Sequence, residues 1–97
     1  VHTNNNACLT VFGLALGKND FTKVIGACVA MGYDNDCTAA TAGSIFGAAH
    51  GIRSIPSHWW KPFGNRAATY LKGVQPFRND EMARRFSLLA RRVWSHK

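Results

Sequence analysis

Ala39, Gly43, Gly47 and Gly51 recur every four residues, and Ala40, Ser44 and Ala48 form a second small stripe beside them. A helix from about Asp36 to His50 lays both stripes along its surface. Glycine inside a helix costs about 1 kcal/mol relative to alanine, so three glycines on one face imply a neighbouring backbone packed very close. Helix-on-helix packing is therefore the expected principle of the fold, and the partner helix need not lie in this chain.

The rest of the chain agrees with an all-α reading, an orthogonal or irregular helical bundle. Residues Asn6 to Leu16 are apolar nearly all round, with Cys8, Val11, Phe12 and Ala15 on one face and Leu9 and Leu16 on another, the pattern of an interior helix. Gly17 ends it and Asp20 is placed to cap the next helix. That helix carries Phe21, Val24, Ile25 and Cys28 at i, i+3, i+4 and i+7 and stops at Gly32. Gly51, Pro56 and Pro62 break regular structure, so Ile52 to Gly64 reads as a loop with one short helical turn after Pro56. Asn65 to Lys72 is expected as a short helix ending at Gly73. From Asn79 or Asp80, either a good N-cap, a last helix runs to the terminus with Met82, Phe86, Leu89 and Val93 on its apolar side. No alternating strand pattern and no internal repeat is present.

Length sets the scale, since 97 residues make about one small domain and bury only roughly 60 to 65% of the surface exposed by the unfolded chain. At 46% hydrophobic and 18% charged, with three tryptophans, the composition is that of a folded interior. Lys18, Asn19 and Asp20 interrupt the longest apolar run, so no spanning segment and no membrane partner is expected, and no basic n-region opens the chain. Cys8, Cys28 and Cys37 form no C-x-x-C pair and leave one thiol over under any pairing, which fits a reduced, cytoplasmic chain. No N-x-[S/T] acceptor occurs. The opening Val1-His2-Thr3, without Met and leading at once into an apolar segment, suggests a fragment of a larger protein.

Charge divides the chain. Residues 1–52 set Lys18 and Lys23 against Asp20, Asp34 and Asp36, a net of −1, whereas residues 53–97 set ten Lys or Arg against Asp80 and Glu81, a net of +8. A basic half of that size is a legitimate nucleic-acid footprint, but its arginines are not expected to be interleaved with exposed aromatics. Trp59 and Trp60 could stack on a base, although aromatic residues after Ile55-Pro56 more often clamp a loop onto a core. A small basic nucleic-acid-binding module is kept as an alternative.

Asp34 and Asp36 are the most informative pair. They stand two apart between two helices, so both carboxylates can face one side of the loop, and hard oxygen donors suit Mg²⁺ or Mn²⁺. The plainer account is an Asx turn followed by an N-cap at Asp36, and spacing alone favours it. An EF-hand starting at Asp34 fails, because Ala39 stands where glycine and Ile45 where glutamate are required. A P-loop at Gly13 also fails, with only three residues before Gly17-Lys18 and Asn19 in place of Ser or Thr. The histidines His2, His50, His58 and His96 lack metal-ligand spacing, though His2 beside Asn4, Asn5 and Asn6 could line a polar site at a helix start.

The stretch Met31-Gly32-Tyr33-Asp34-Asn35-Asp36-Cys37-Thr38-Ala39-Ala40-Thr41-Ala42-Gly43-Ser44-Ile45-Phe46-Gly47-Ala48, followed by Gly51, Ile55-Pro56 and Trp59, resembles the C-terminal part of the ADP-ribosylglycohydrolase family. The shared pattern is G-x-D-x-D-[T/S/C], a small-residue helix and a trailing I-P-x-x-W. His2-Thr3-Asn4-Asn5-Asn6-Ala7 and Asp20-Phe21 also look like that family's lead-in. The resemblance covers residues 2 to about 73, and the basic last helix, 74–97, adds nothing to it.

This resemblance implies part of a larger all-α domain holding two divalent cations, Mg²⁺ or Mn²⁺. It implies hydrolysis of the glycosidic bond of ADP-ribose attached to protein side chains, or of related ADP-ribosyl compounds. Asp34, Asp36 and Cys37 would be metal ligands, with Cys37 replacing the hydroxyl residue usual at its position. Gly32, Tyr33, His2 and Asn5 would meet the substrate, Gly32 by letting the backbone approach it. The family's N-terminal ligands are absent from this sequence, so the chain alone is expected to hydrolyse nothing and to self-associate through exposed apolar surface. A non-catalytic ADP-ribose-binding or structural relative is the further alternative.

Overall fold

A glycine at each helix boundary and an aspartate before the second helix divide the first part of the chain into three helices: α1 (Thr3–Gly17), α2 (Phe21–Ala30) and α3 (Asn35–His50). The computed structural model describes residues 3–69, 73 and 76–96. Two compact units divide after Pro56.

In the first unit, Asp20 caps α2 as its sequence position demands, its carboxylate accepting a 3.2 Å hydrogen bond from the Lys23 amide. Gly32 and Gly51, at φ +75° and +80°, end α2 and α3 in backbone conformations that residues with side chains rarely adopt. The core is small. Val24, Cys28, Ala39, Ala42 and Phe46 are buried, with Leu14, Phe21, Ile25 and Ile55 packed against them. Phe46 meets the edge of Phe21 at a centroid distance of 5.4 Å, a favourable T-shaped pair.

Two expectations about packing are not met among the described residues of this chain. The first helix is not interior all round: it buries Thr10, Gly13 and Gly17, while Val11, Phe12 and Leu16 are 61%, 56% and 67% exposed. Nor does the α3 stripe meet a neighbouring backbone among the described residues. A Cβ on Gly43 would lie 3.2 Å from the Ile25 Cδ1, one on Gly47 3.8 Å from the Ile55 Cδ1, and one on Gly51 in open space. The close approach is made instead by α1, where a Cβ on Gly17 would fall 2.6 Å from the Val24 Cα and nearer still to its amide nitrogen. Gly13 and Gly17, one helical turn apart, let α1 and α2 touch.

The second unit begins with short 3₁₀ turns at Ser57–Trp59 and Lys61–Phe63, after a first at Ile52–Ser54 in the preceding unit. Here Trp59 is half-buried beside His58, at 5.4 Å between ring centroids, and Trp60 is 42% exposed. The short helix expected from Asn65 does not form where the chain is described. Arg66–Ala67 (β1) pairs antiparallel with Phe77–Arg78 (β2), Arg66 opposite Arg78, and Tyr70 to Lys72 lie outside the described residues. The cause is at Asn65, whose positive φ of 60° turns the chain out of helix.

The last helix, α4 (Asn79–Ser95), starts where the sequence places it, but neither Asn79 nor Asp80 is its cap. Arg78 holds the cap position, and Asn65 serves from across the hairpin: its carbonyl accepts from the Asn79 amide at 2.8 Å and its side-chain oxygen from the Asp80 amide at 3.0 Å. Asp80 and Glu81 stand in the first turn. A further hydrogen bond, from the Asn65 side chain to the Asp80 carboxylate, holds that carboxyl below its ordinary 3.8, and the one from Arg84 holds Glu81 below its ordinary 4.5. A depressed folded value means stability that is complete above the ordinary value and lost as pH falls through the folded one. The protection factors of the first-turn amides of α4, with the intrinsic pH dependence of exchange divided out, are expected to be constant from about pH 7 to pH 5 and to fall below about pH 4. Unchanged protection factors at about pH 3 contradict the stabilising role of these two first-turn carboxylates.

Candidate functional site

The turn between α2 and α3 is shaped by two consecutive left-handed residues, Gly32 at φ +75° and Tyr33 at φ +59°. Glycine adopts this region freely, whereas tyrosine carries a strain that clusters at functional sites. The turn is fastened behind them, since the Asn35 side chain donates to the Val29 carbonyl at 3.2 Å. Thr38, 1% exposed, donates its amide to the Asp34 carbonyl at 3.0 Å and its hydroxyl to the Asn35 carbonyl at 3.2 Å. A fixed turn therefore presents Asp34, Asp36 and Cys37 on the first turn of α3.

Their ligand atoms lie within 4.8 Å of one another. Asp34 is half-buried, whereas Asp36 and Cys37 are exposed. The simpler capping account does not hold. Asp34, not Asp36, occupies the N-cap position, and its side chain makes no capping hydrogen bond, while Asp36 lies inside the first turn. Both carboxylates thus sit where the helix dipole favours negative charge, and the Asp34 carboxylate is not consumed in closing the helix end.

Asp34 is held from another helix. The Asn6 side-chain amide, on α1, donates to the Asp34 carboxylate at 3.3 Å. One turn further along, the Thr10 hydroxyl donates to the Asn6 carbonyl at 2.9 Å. The site thereby spans the sequence from residue 6 to residue 37.

The Cys37 thiol behaves differently from the carboxylates. Its hydrogen bond with Asp34, and the negative charges of Asp34 and Asp36, push it up from its ordinary 9.0. It is protonated at neutral pH, a donor to Asp34. A bound cation acts in the opposite sense on a thiol.

The structure thus brings Asp34, Asp36 and Cys37 together. Gly32 and Tyr33 lie at the adjoining turn, Tyr33 85% exposed, and a Cβ on Gly32 would meet nothing within 4 Å. Asn5 is exposed and makes no hydrogen bond to the aspartates among the described residues; its neighbour Asn6 does. His2 lies outside the described residues. Sequence reasoning named Asn6 only as one of three asparagines beside His2 and singled out Asn5 instead, although a signal for Asn6 existed. Asn6, Thr10, Gly13 and Gly17 fall at i, i+4, i+7 and i+11, one stripe of α1, and it is the stripe of small and polar residues that packs.

The family model of the ADP-ribosylglycohydrolases matches residues 3–95. No curated protein and no solved structure matches the chain. The match extends past residue 73, where the motif resemblance stops, so α4 is part of the family pattern and not an appendage to it. No helix among the described residues is long and apolar enough to cross a membrane. Because one family pattern runs from the first turn of α1, which carries Asn6, through the aspartate turn to the end of α4, the chain belongs to the ADP-ribosylglycohydrolase family.

Proposed function

We propose that the chain supplies one part of a metal-dependent hydrolase site that cleaves the glycosidic bond of ADP-ribose attached to protein side chains, or of related ADP-ribosyl compounds. The observation that carries this reading is a pair of carboxylates close together on a fixed turn, one of them steered by Asn6 from a different helix. Hard oxygen donors in that arrangement fit Mg²⁺ or Mn²⁺. Asp34 and Asp36 would hold the cation, and Asn6 would orient Asp34. A bound divalent cation supplies Lewis-acid polarisation and an acidified water. The open backbone at Gly32 and the exposed ring of Tyr33 leave room for a nucleotide-sized substrate beside the carboxylates. Cys37, soft and protonated, serves better as a hydrogen-bond donor to Asp34 than as a ligand for either metal.

Two cations need more donors than this one cluster offers, so the remaining ligands come from outside these 97 residues. The uncovered face of α1, where Ala7, Cys8, Val11 and Phe12 line a shallow apolar hollow, supports the same reading and would drive self-association of the chain alone. The three free thiols suit a reducing compartment such as the cytoplasm.

The test compares the full gene product with the 97-residue chain on an ADP-ribosylated protein, with Mn²⁺ and with EDTA. The full product is expected to release ADP-ribose only with the ion, and the chain alone to release none. Release by the full product in EDTA overturns the metal dependence. Release by the isolated chain, abolished by Asp34→Asn, overturns the divided site.

A further inference from the structure

The donor set at the start of α3 is mixed. Asp34 and Asp36 offer carboxylate oxygens and Cys37 offers a sulfur, and the three ligand atoms lie within 4.8 Å of one another. All three residues belong to one turn inside the first compact unit, so their proximity is local and does not depend on the placement of any other segment. Among the described residues no other three Cys, His, Asp or Glu side chains gather in this way. Cys37 thereby differs from the other two thiols, since Cys28 is buried in the core and Cys8 is exposed on α1 outside any such group.

Sulfur changes which cation the set favours. Mg²⁺ and Mn²⁺ suit oxygen ligands, whereas thiolate ligands select softer ions of the Zn²⁺ kind. Towards a hard ion the Cys37 thiol is a competitor, because its hydrogen bond occupies a lone pair of the Asp34 carboxylate. Towards Zn²⁺ it becomes a donor, the ion taking the place of the thiol proton between the sulfur and the carboxylate. Asp36 and Cys37 are exposed, with room to turn toward such an ion, while Asn6 steadies the half-buried Asp34.

We propose that Cys37 sets the cation preference of this turn, serving as a thiolate ligand beside Asp34 and Asp36 for a borderline-soft divalent ion such as Zn²⁺. The assignment rests on the reading of the turn as a cation site and specifies the ion that the chain's own residues favour over Mg²⁺.

The experiment uses the whole 97-residue chain, freshly reduced. Titration calorimetry measures Zn²⁺ and Mn²⁺ affinities, and Co²⁺ serves as a spectroscopic probe, because a thiolate ligand gives a near-ultraviolet sulfur-to-cobalt charge-transfer band that oxygen ligands do not. The parent is expected to show the band. Cys37→Ser is expected to lose it, Asp34→Asn to weaken it, and Cys8→Ser to keep it. Cys37→Ser is also expected to weaken Zn²⁺ binding by about tenfold or more and to leave Mn²⁺ binding nearly unchanged. Cys37 and Cys8 are exposed, so both serine variants retain the fold, which circular dichroism verifies. The proposal is overturned if the parent shows no band, if the band survives Cys37→Ser or is untouched by Asp34→Asn, or if Cys8→Ser removes it. It is also overturned if Cys37→Ser weakens Zn²⁺ and Mn²⁺ binding by the same factor. A chain that binds Mn²⁺ yet fails these tests keeps the cation reading and loses this assignment, whereas a chain that binds none of the three ions loses both.

Discussion

Gly17→Ala is expected to abolish cooperative folding of the three-helix unit, or to lower its melting temperature by at least about 10 °C. The added Cβ would fall 2.6 Å from the Val24 Cα and closer to the Val24 amide nitrogen, so most of the obstruction is backbone and no rotamer change relieves it. Overpacking commonly costs about 1–3 kcal/mol, and a backbone clash belongs at the upper end. A unit of this size holds about 3–8 kcal/mol in all at the usual stability per residue. Moving α1 away to make room would also uncover Val24 and Cys28, both fully buried. Gly43→Ala is the control. Its Cβ would meet side-chain atoms alone, the Ile25 Cδ1 at 3.2 Å and the Phe21 ring at 3.6 Å, and alanine is preferred over glycine within a helix by about 1 kcal/mol. That variant should melt within a few degrees of the parent, and equal losses from both would refute the assignment of the close helix contact to α1.

The contrast between the two glycines shows what kind of information a sequence carries. Helix boundaries were readable because they are local: Asp20 caps α2 through its own neighbour Lys23, and Gly32 and Gly51 terminate helices through their own φ angles. Which glycines receive a neighbouring backbone is not local. The regular stripe of α3 is the more conspicuous pattern, yet only in three dimensions is it seen that Gly17 faces Val24 whereas Gly51 faces nothing among the described residues. The hairpin at Arg66 and Phe77 was hidden for a similar reason. Two-residue strands carry no period, and the Asn65 cap of α4 acts across 15 positions of chain.

The site was legible to a greater degree than the packing. Asp34, Asp36 and Cys37 lie within four positions, so a turn of the backbone suffices to bring them together. Gly32 was legible as the stop of α2, but the left-handed Tyr33 was not, since nothing in its side chain favours that conformation. Asn6 is separated from Asp34 by 28 positions, and three consecutive asparagines share its composition. Only helical phase distinguishes it, because Asn6 shares the packing stripe of Thr10 and Gly17 and Asn5 does not.

That distinction yields a graded prediction for metal binding, in which Asp36→Asn and Asp34→Asn nearly eliminate Mn²⁺ binding by the chain, Asn6→Ala weakens it and Asn5→Ala leaves it unchanged. Each aspartate substitution keeps the volume and removes the charge, taking one of two anionic oxygen donors from a hard cation that binds through little else. Asn6 does not reach the ion, and its amide fixes the direction of the Asp34 carboxylate at 3.3 Å. Loss of such an outer contact typically costs about 10- to 100-fold in metal affinity. Asn6→Asp should be worse than Asn6→Ala, because a carboxylate there repels Asp34 where the amide donated to it. Titration calorimetry with Mn²⁺ measures all five variants, and melting curves show whether the fold is intact. If Asn5→Ala and Asn6→Ala weakened binding equally, the asparagine run would act as a diffuse polar surface and not through the one bond to Asp34. If both aspartate variants bound Mn²⁺ as the parent does, the paired carboxylates would be helix-terminal charges and nothing more.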